Sequence, residues 1–158
     1  MKKTISILFL SLLLTGAGSC IKDTGCQDKT VQSEQAAILA YATANGITAT
    51  AHSSGLYYEI TNPGSGATAN LNSTVRVNYV GKYVSNGTIF DQTTVATGPV
   101  SFVLGSVIPG WQLGIPLIQK GGSIKLIIPS SFAYGCAGRG SIPSNAILYF
   151  EIELMDVL

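Results

Sequence analysis

The chain has little charge, one histidine and few cysteines, and these shortages exclude several classes of function. Charged residues make up 11% of the 158 residues, against about 25% in ordinary soluble domains. With 9 basic and 8 acidic residues, no basic stripe can form of the kind that binds nucleic acid, so we expect no nucleic-acid partner. The single histidine, His52, has no cysteine or carboxylate at metal-ligand spacing around it, so we expect no metal site.

The remaining composition is that of a folded protein. Hydrophobic residues reach 46% and the formal net charge is +1, a combination that argues against intrinsic disorder. The length suits one domain with a short appendage.

The N-terminus has the pattern of an export signal. Lys2 and Lys3 precede an apolar run over residues 5–14, which is well below the roughly 18 residues that span a bilayer. A positive start, a short apolar run and small residues before a cut site are typical of a secretory signal. The alternative is a buried N-terminal strand or helix, although no amphipathic period marks a solvent-facing side.

Small residues at positions 17–19 stand directly before Cys20, an arrangement that resembles a bacterial lipobox. The resemblance implies a lipoprotein signal peptide over residues 1–19 and acylation of Cys20, for example by palmitate. Lipid chains would then anchor the exported protein to a membrane of the cell envelope, facing the periplasm or the cell surface.

The next part of the chain predicts one helix, over residues 33–45. Ser33 suits the N-cap, Glu34 lies in the first turn, and Gly46 suits the position after the C-cap. Small residues over 48–55 predict a linker.

From residue 56 onward the apolar period changes to two, which indicates strands with one dry face. The last strand shows it most clearly, since Leu148, Phe150 and Ile152 alternate with polar or charged neighbours. One segment, residues 109–118, instead has helical spacing, and Pro116 should keep that helix short or kinked. We therefore predict an α+β fold, a curled antiparallel sheet of about five strands wrapped round one short helix, with a separate N-terminal helix.

The domain contains a set of aromatic residues with few polar partners. Its members are Tyr79, Phe90, Phe102, Trp111, Tyr134 and Phe150. Taken alone, the set is explained by core packing, and Asp91 by a turn or cap.

Several separated motifs resemble the FKBP-type peptidyl-prolyl cis-trans isomerases, the macrolide-binding family, in order and spacing. They are residues 75–81 (VRVNYVG), 87–91 (GTIFD), 102–111 (FVLGSVIPGW), 128–135 (IPSSFAYG), 141–143 (SIP) and 148–154 (LYFEIEL). The resemblance implies an isomerase domain over residues 56–158, preceded by a lipidated tether and short helix over 20–55.

The resemblance also implies a role for each matching residue. Trp111 matches the floor of a substrate pocket, and Ile142 matches the apolar residue of its flap. The hydroxyl of Tyr134, with the polar wall residue Asp91, matches the catalytic pair. The pocket walls are Tyr79, Phe90, Phe102, Val107, Ile108 and Phe150. Val100 departs from the family pattern, because many members carry an aromatic residue there.

The implied function is isomerisation of prolyl bonds in exported polypeptides, by non-covalent catalysis that needs no cofactor, with macrolide inhibitors as further ligands. A different class of function is a lipid-anchored holdase, a peptide-binding chaperone with little turnover, which the smaller Val100 favours. A third is an envelope protein that uses the fold only as a scaffold.

Two cysteines remain once Cys20 is acylated. An exported protein matures in an oxidising compartment, where paired thiols persist, so Cys26 and Cys136 are candidates for a disulfide. The alternative, a free thiol in the tether and a small loop residue at 136, stays open at this point.

Overall fold

The alternating residues form a curled sheet that holds one short helix against its inner face. The computed structural model describes residues 25–158. The helices are α1 (Val31–Ala44) and α2 (Pro109–Gly114), and the strands are β1 (Thr50–Ala51), β2 (Tyr57–Asn62), β3 (Thr74–Tyr83), β4 (Ile89–Gln92), β5 (Val100–Val103), β6 (Ser123–Ile128) and β7 (Leu148–Val157). The strand order is β1-β2-β6-β7-β3-β4, and β5 also pairs with β3. All pairings are antiparallel, so the predicted α+β architecture is confirmed.

The inner face of the sheet carries the main core. β7 lies between β6 and β3, and its apolar residues pair with apolar residues on both neighbours, as in Leu126 opposite Phe150. Burial of this face, together with Trp111, Ile115 and Ile118 from the helical segment, removes a large apolar area from water.

Two glycines and a proline determine how the helical segment sits. A Cβ at Gly110 would lie 2.5 Å from Ile128, and one at Gly114 would lie 2.6 Å from Leu126, so only glycine permits this close approach. The α-helix ends at Gly114 and continues as a 3₁₀ turn over Ile115–Leu117. Pro116 lacks the N–H that a longer helix would need, as expected.

The outer face of the sheet carries a second, smaller core under α1. Ile38 and Ala42 of the helix pack there against Tyr57, Ile127 and Tyr149. The alternation along the last strand predicts that Tyr149 faces away from the main core, and it does, but α1 covers it and buries it from solvent.

The N-terminal helix begins earlier than predicted. Thr30, not Ser33, is its N-cap, because the Thr30 side chain accepts the Ser33 N–H. Gly46 has a φ of +62°, as its place after the helix requires. The segment predicted to be a linker contains β1. Across residues 25–158, neither helix has the length and apolar character needed to cross a membrane.

Candidate active site

An aromatic cleft opens between α2, the rim of the sheet and the segment that follows β6. Its volume is about 570 Å³. The lining residues are Tyr79, Val100, Phe102, Ser106, Val107, Ile108, Trp111, Ala133, Tyr134, Arg139 and Phe150. The cleft therefore brings together seven of the residues to which the sequence assigned catalytic or binding roles.

Trp111 lies at the base of the cleft, surrounded by other rings. Its ring centroid is 5.2 Å from that of Tyr79, 5.1 Å from that of Phe150 and 5.4 Å from that of Phe102. The contacts with Tyr79 and Phe150 are edge-on, the geometry that the ring quadrupoles favour. Among the residues described, its Nε1 is the one buried side-chain nitrogen or oxygen that has no hydrogen-bond partner. The floor is thus buried and built mainly from aromatic rings.

Asp91 reaches the cleft through Tyr79 and is not itself a lining residue. The Tyr79 hydroxyl donates to Asp91 Oδ2 at 2.5 Å. Burial, and then the hydrogen bond to Asp91, raise the pKa of Tyr79 well above its usual range. The phenol therefore keeps its proton, and the carboxylate fixes its orientation.

Phe90 also lies behind the wall. It packs edge-on against Phe150, with centroids 5.6 Å apart, and against Tyr83 at 4.9 Å. A Cβ at Gly81 would lie 2.8 Å from both Phe90 and Phe150, so glycine is required between them. Tyr83, which the sequence did not single out, donates its hydroxyl to the Ser141 carbonyl at 2.8 Å.

The flap residue Ile142 lies beside the cleft. Its N–H donates to the Arg139 carbonyl at 2.9 Å, and the Arg139 N–H donates back at 3.0 Å. Ile142 is partly buried, packs against the main core and does not line the cleft.

Tyr134 and Arg139 form the far wall. The Arg139 guanidinium lies 5.8 Å from the centre of the Tyr134 ring, within range of a cation–π interaction. Arg139, Ala133 and Ser106 line the cleft without having been predicted. Nothing in the residue type or local sequence of these three positions indicates a binding site.

The Ile108 backbone contributes a hydrogen-bond donor next to the cleft floor. Its carbonyl accepts the Trp111 N–H at 3.0 Å, while its own N–H has no hydrogen-bond partner within residues 25–158. The neighbouring Val107 carbonyl is bound by the Gln112 side chain at 2.7 Å. A free donor therefore lies beside the aromatic floor.

The segment before α1 is bound to the loop that follows Tyr134. A disulfide joins Cys26 to Cys136, whose Cα atoms are 5.4 Å apart. Asp28 Oδ1 accepts the Cys136 N–H at 2.7 Å, and Asn145 donates to the Gln27 carbonyl at 3.3 Å. Residues 26–28, which lie in the segment predicted to be a tether, are therefore bound to the domain. Cys20 and the predicted signal peptide lie outside the described residues.

A second groove lies elsewhere on the sheet and has a different character. Its volume is about 610 Å³, and Lys125, Glu151 and Glu153 are among the residues that line it. It lacks a cluster of rings, so the aromatic cleft is the better candidate for binding an apolar ring such as proline.

The cleft offers binding groups and no nucleophile–base pair. His52 is not among the lining residues, and its Nδ1 lies 2.9 Å from Ser54 Oγ. The Tyr134 hydroxyl and the Ile108 N–H are hydrogen-bond donors on residues that line the cleft. The arrangement can hold a small apolar group and orient the peptide bonds around it without covalent chemistry.

Comparisons with known proteins identify a family match and close relatives. Residues 66–155 match the family described as FKBP-type peptidyl-prolyl cis-trans isomerase. The FKBP-type peptidyl-prolyl cis-trans isomerase FkpA of Escherichia coli strain K12 is 46% identical over 105 residues, which cover 66% of this chain and 38% of that protein. A probable FKBP-type isomerase of Haemophilus influenzae is 44% identical over 105 residues, covering 66% of this chain and 43% of that protein. The matched region thus spans less than half the length of these relatives.

Solved structures agree with this match. The crystal structure of Escherichia coli FkpA aligns with a TM-score of 0.71 and 39% identity, covering 80% of this chain and 60% of that one. A peptidyl-prolyl cis-trans isomerase from Pseudomonas syringae pv. tomato aligns with a TM-score of 0.66 and 33% identity, covering 83% and 98%.

Proposed function

The chain belongs to the FKBP-type peptidyl-prolyl cis-trans isomerase family, and on this premise we propose that its aromatic cleft catalyses the cis–trans isomerisation of prolyl peptide bonds. The observation that carries the proposal is the arrangement of Trp111, Tyr79, Phe102 and Phe150 around one dry site with two adjacent hydrogen-bond donors. The substrate class is a polypeptide that contains proline.

The physical basis is the electronic structure of the amide. Rotation about the prolyl bond must break amide resonance, at a barrier of roughly 18–20 kcal/mol. The twisted amide is less dipolar than either planar form. A dry aromatic cleft therefore disfavours the planar ground states more than the transition state, and lowers the barrier.

The polar groups of the cleft would orient the substrate. The Tyr134 hydroxyl and the Ile108 N–H donate to substrate carbonyls on either side of the bound proline and hold the chain in a geometry that favours rotation. Asp91 acts through the Tyr79 hydroxyl, which it orients. A macrolide inhibitor would occupy the same cleft and compete with the substrate.

The proposed setting is the bacterial cell envelope, with exported proteins as substrates. The export pattern of residues 1–19 and the small residues before Cys20 support it. The Cys26–Cys136 disulfide supports it independently, because disulfides persist in oxidising compartments.

The test is an isomerisation assay on the full chain in detergent, with a peptide that carries an apolar residue before proline. We expect acceleration over buffer, reduced in Tyr134→Phe and unchanged in Val95→Ala, since Val95 is fully exposed and does not line the aromatic cleft. A folded protein that binds the peptide without accelerating exchange contradicts the proposal and supports the holdase function.

A further inference from the structure

Within residues 25–158, one acidic side chain is buried and forms no salt bridge. Glu34, in the first turn of α1, is 2% exposed. Its Oε2 accepts the Ser130 N–H at 2.8 Å and its Oε1 accepts the Ser130 hydroxyl at 2.7 Å. Buried carboxylates are rare unless they are paired. Here the pairing is with one residue, 96 positions away in sequence.

Ser130 connects this carboxylate to the backbone of the cleft wall. It is fully buried and begins the 3₁₀ turn Ser130–Phe132. Its carbonyl accepts the N–H of Ala133 at 3.0 Å and the N–H of Gly135 at 2.9 Å. Ala133 and Gly135 flank Tyr134 in the chain, so the backbone on both sides of Tyr134 is bound to the Ser130 carbonyl. Ser130 is in turn bound by Glu34.

The same N-terminal segment holds the loop beyond Tyr134. The Cys136 N–H donates to Asp28, and the Gly135 carbonyl accepts the Asn145 N–H at 2.8 Å. The Lys29 N–H in turn donates to Asn145 at 3.3 Å. Residues that precede the region matched by the family, residues 66–155, therefore bind Cys136 directly and bind residues 133–135 only through Ser130 and Asn145.

We propose that Glu34 is a positioning residue for Tyr134, which acts through Ser130 to hold the tyrosine hydroxyl where it binds the substrate carbonyl. The inference rests on the proposed function and adds a residue outside the matched domain to its site. A carboxyl side chain suits this task because its two oxygens accept both hydrogen-bond donors of Ser130 at once. Removing it would leave the buried Ser130 N–H unpaired and the turn free to shift.

The experiment compares variants of the full chain. Glu34→Ala removes both acceptors, and Glu34→Gln keeps one carbonyl oxygen. Ile38→Val is the matched control, because Ile38 is a buried residue on the same helix that packs into the outer-face core and offers no hydrogen bond to Ser130. We expect Glu34→Ala to lower kcat/KM for an apolar-Xaa–Pro peptide about tenfold, within the hundredfold that a 1 Å displacement can remove. Glu34→Gln should recover part of the loss, and Ile38→Val should leave kcat/KM unchanged.

A double-mutant cycle separates positioning from simple stabilisation. If Glu34 acts through the Tyr134 hydroxyl, the effect of Glu34→Ala or Glu34→Gln disappears in a Tyr134→Phe background. An undiminished effect in that background overturns the inference. So does a loss of activity in Ile38→Val that matches the loss in the Glu34 variants. Glu34→Gln keeps the test valid if Glu34→Ala does not fold.

A binding measurement keeps the two proposals distinguishable. The fluorescence of Trp111 reports occupancy of the cleft when the same peptide is titrated, whether or not turnover occurs. If the wild-type chain binds the peptide but does not accelerate exchange, the proposed function fails. In that case the inference is supported if Glu34→Gln weakens peptide binding in the wild-type background but not in the Tyr134→Phe background. It is overturned if Glu34→Gln binds the peptide as tightly as the wild type.

Discussion

The Tyr79 hydroxyl donates a 2.5 Å hydrogen bond to the Asp91 carboxylate, across the pair formed by β3 and β4. The same tyrosine packs edge-on against Trp111 and lines the cleft. One side chain thus connects an acidic group outside the lining to the floor of the site. This explains how a carboxylate that does not line the cleft can influence it.

The burial of Tyr79 and its hydrogen bond to Asp91 should make the domain less stable at alkaline pH. Burial and Asp91 raise the pKa of Tyr79 above its ordinary value of 10.0, so the folded state keeps a proton that the unfolded chain releases. This stabilisation is complete below pH 10.0 and is lost as the pH rises towards the folded-state pKa. Denaturant unfolding at a series of alkaline pH values should show a steeper loss in the wild type than in Tyr79→Phe. Equal slopes would contradict the assignment.

Asp91 and Trp111 should differ in what their removal does. Asp91 is exposed, so Asp91→Ala should lower kcat/KM at a stability cost of about 1 kcal/mol or less. Trp111 is buried among three rings, so Trp111→Ala should remove activity and about 3–5 kcal/mol of stability. Thermal and denaturant unfolding beside the isomerisation assay provide the comparison. If Asp91→Ala unfolds the domain as severely as Trp111→Ala, Asp91 is structural.

The Cys26–Cys136 disulfide should stabilise the whole domain. It joins residues 110 positions apart, and removal of a native disulfide with a long loop lowers the free energy of unfolding by about 2–5 kcal/mol. We expect a reductant to lower the denaturation midpoint of the wild type. A Cys26→Ser/Cys136→Ser double variant should start lower and not respond to reductant. A wild-type midpoint that reductant does not move would refute this prediction.

Acylation at Cys20 can be tested with the chain's own second cysteine as the control. Metabolic labelling with a fatty acid should mark the wild type and Cys26→Ser and leave Cys20→Ala unmarked, and only the last should leave the membrane fraction. Labelling that persists in Cys20→Ala would rule the anchor out.

The sequence was most informative where local pattern and burial coincide. The period of two along β6 and β7 predicted the inner face correctly, because those residues pack in the core whatever lies outside the sheet. Pro116 predicted the short helix for an equally local reason, its missing N–H. Trp111 and Tyr134 were placed by motif, and both line the cleft.

Contacts between segments that are distant in the chain could not be predicted from the sequence. Tyr149 alternates like an exposed residue, and only the docking of α1 buries it. Glu34 was identified as a residue of the first helical turn, since nothing near it in sequence indicates a partner 96 positions later. Asp91 and Phe90 were expected on the wall, and their position behind Tyr79 and Phe150 depends on how the rings pack in three dimensions.

The place of β7 in the sheet has a consequence for the order of folding. This strand comes last in sequence but lies between β6 and β3, where it pairs with both. Without β7, the facing edges of β3 and β6 have no strand between them. The main core also lacks the buried residues that β7 contributes. A chain that crosses a membrane N-terminus first would therefore lack the strand that joins β6 to β3 until residues 148–157 have emerged. In such a chain the main core would close late.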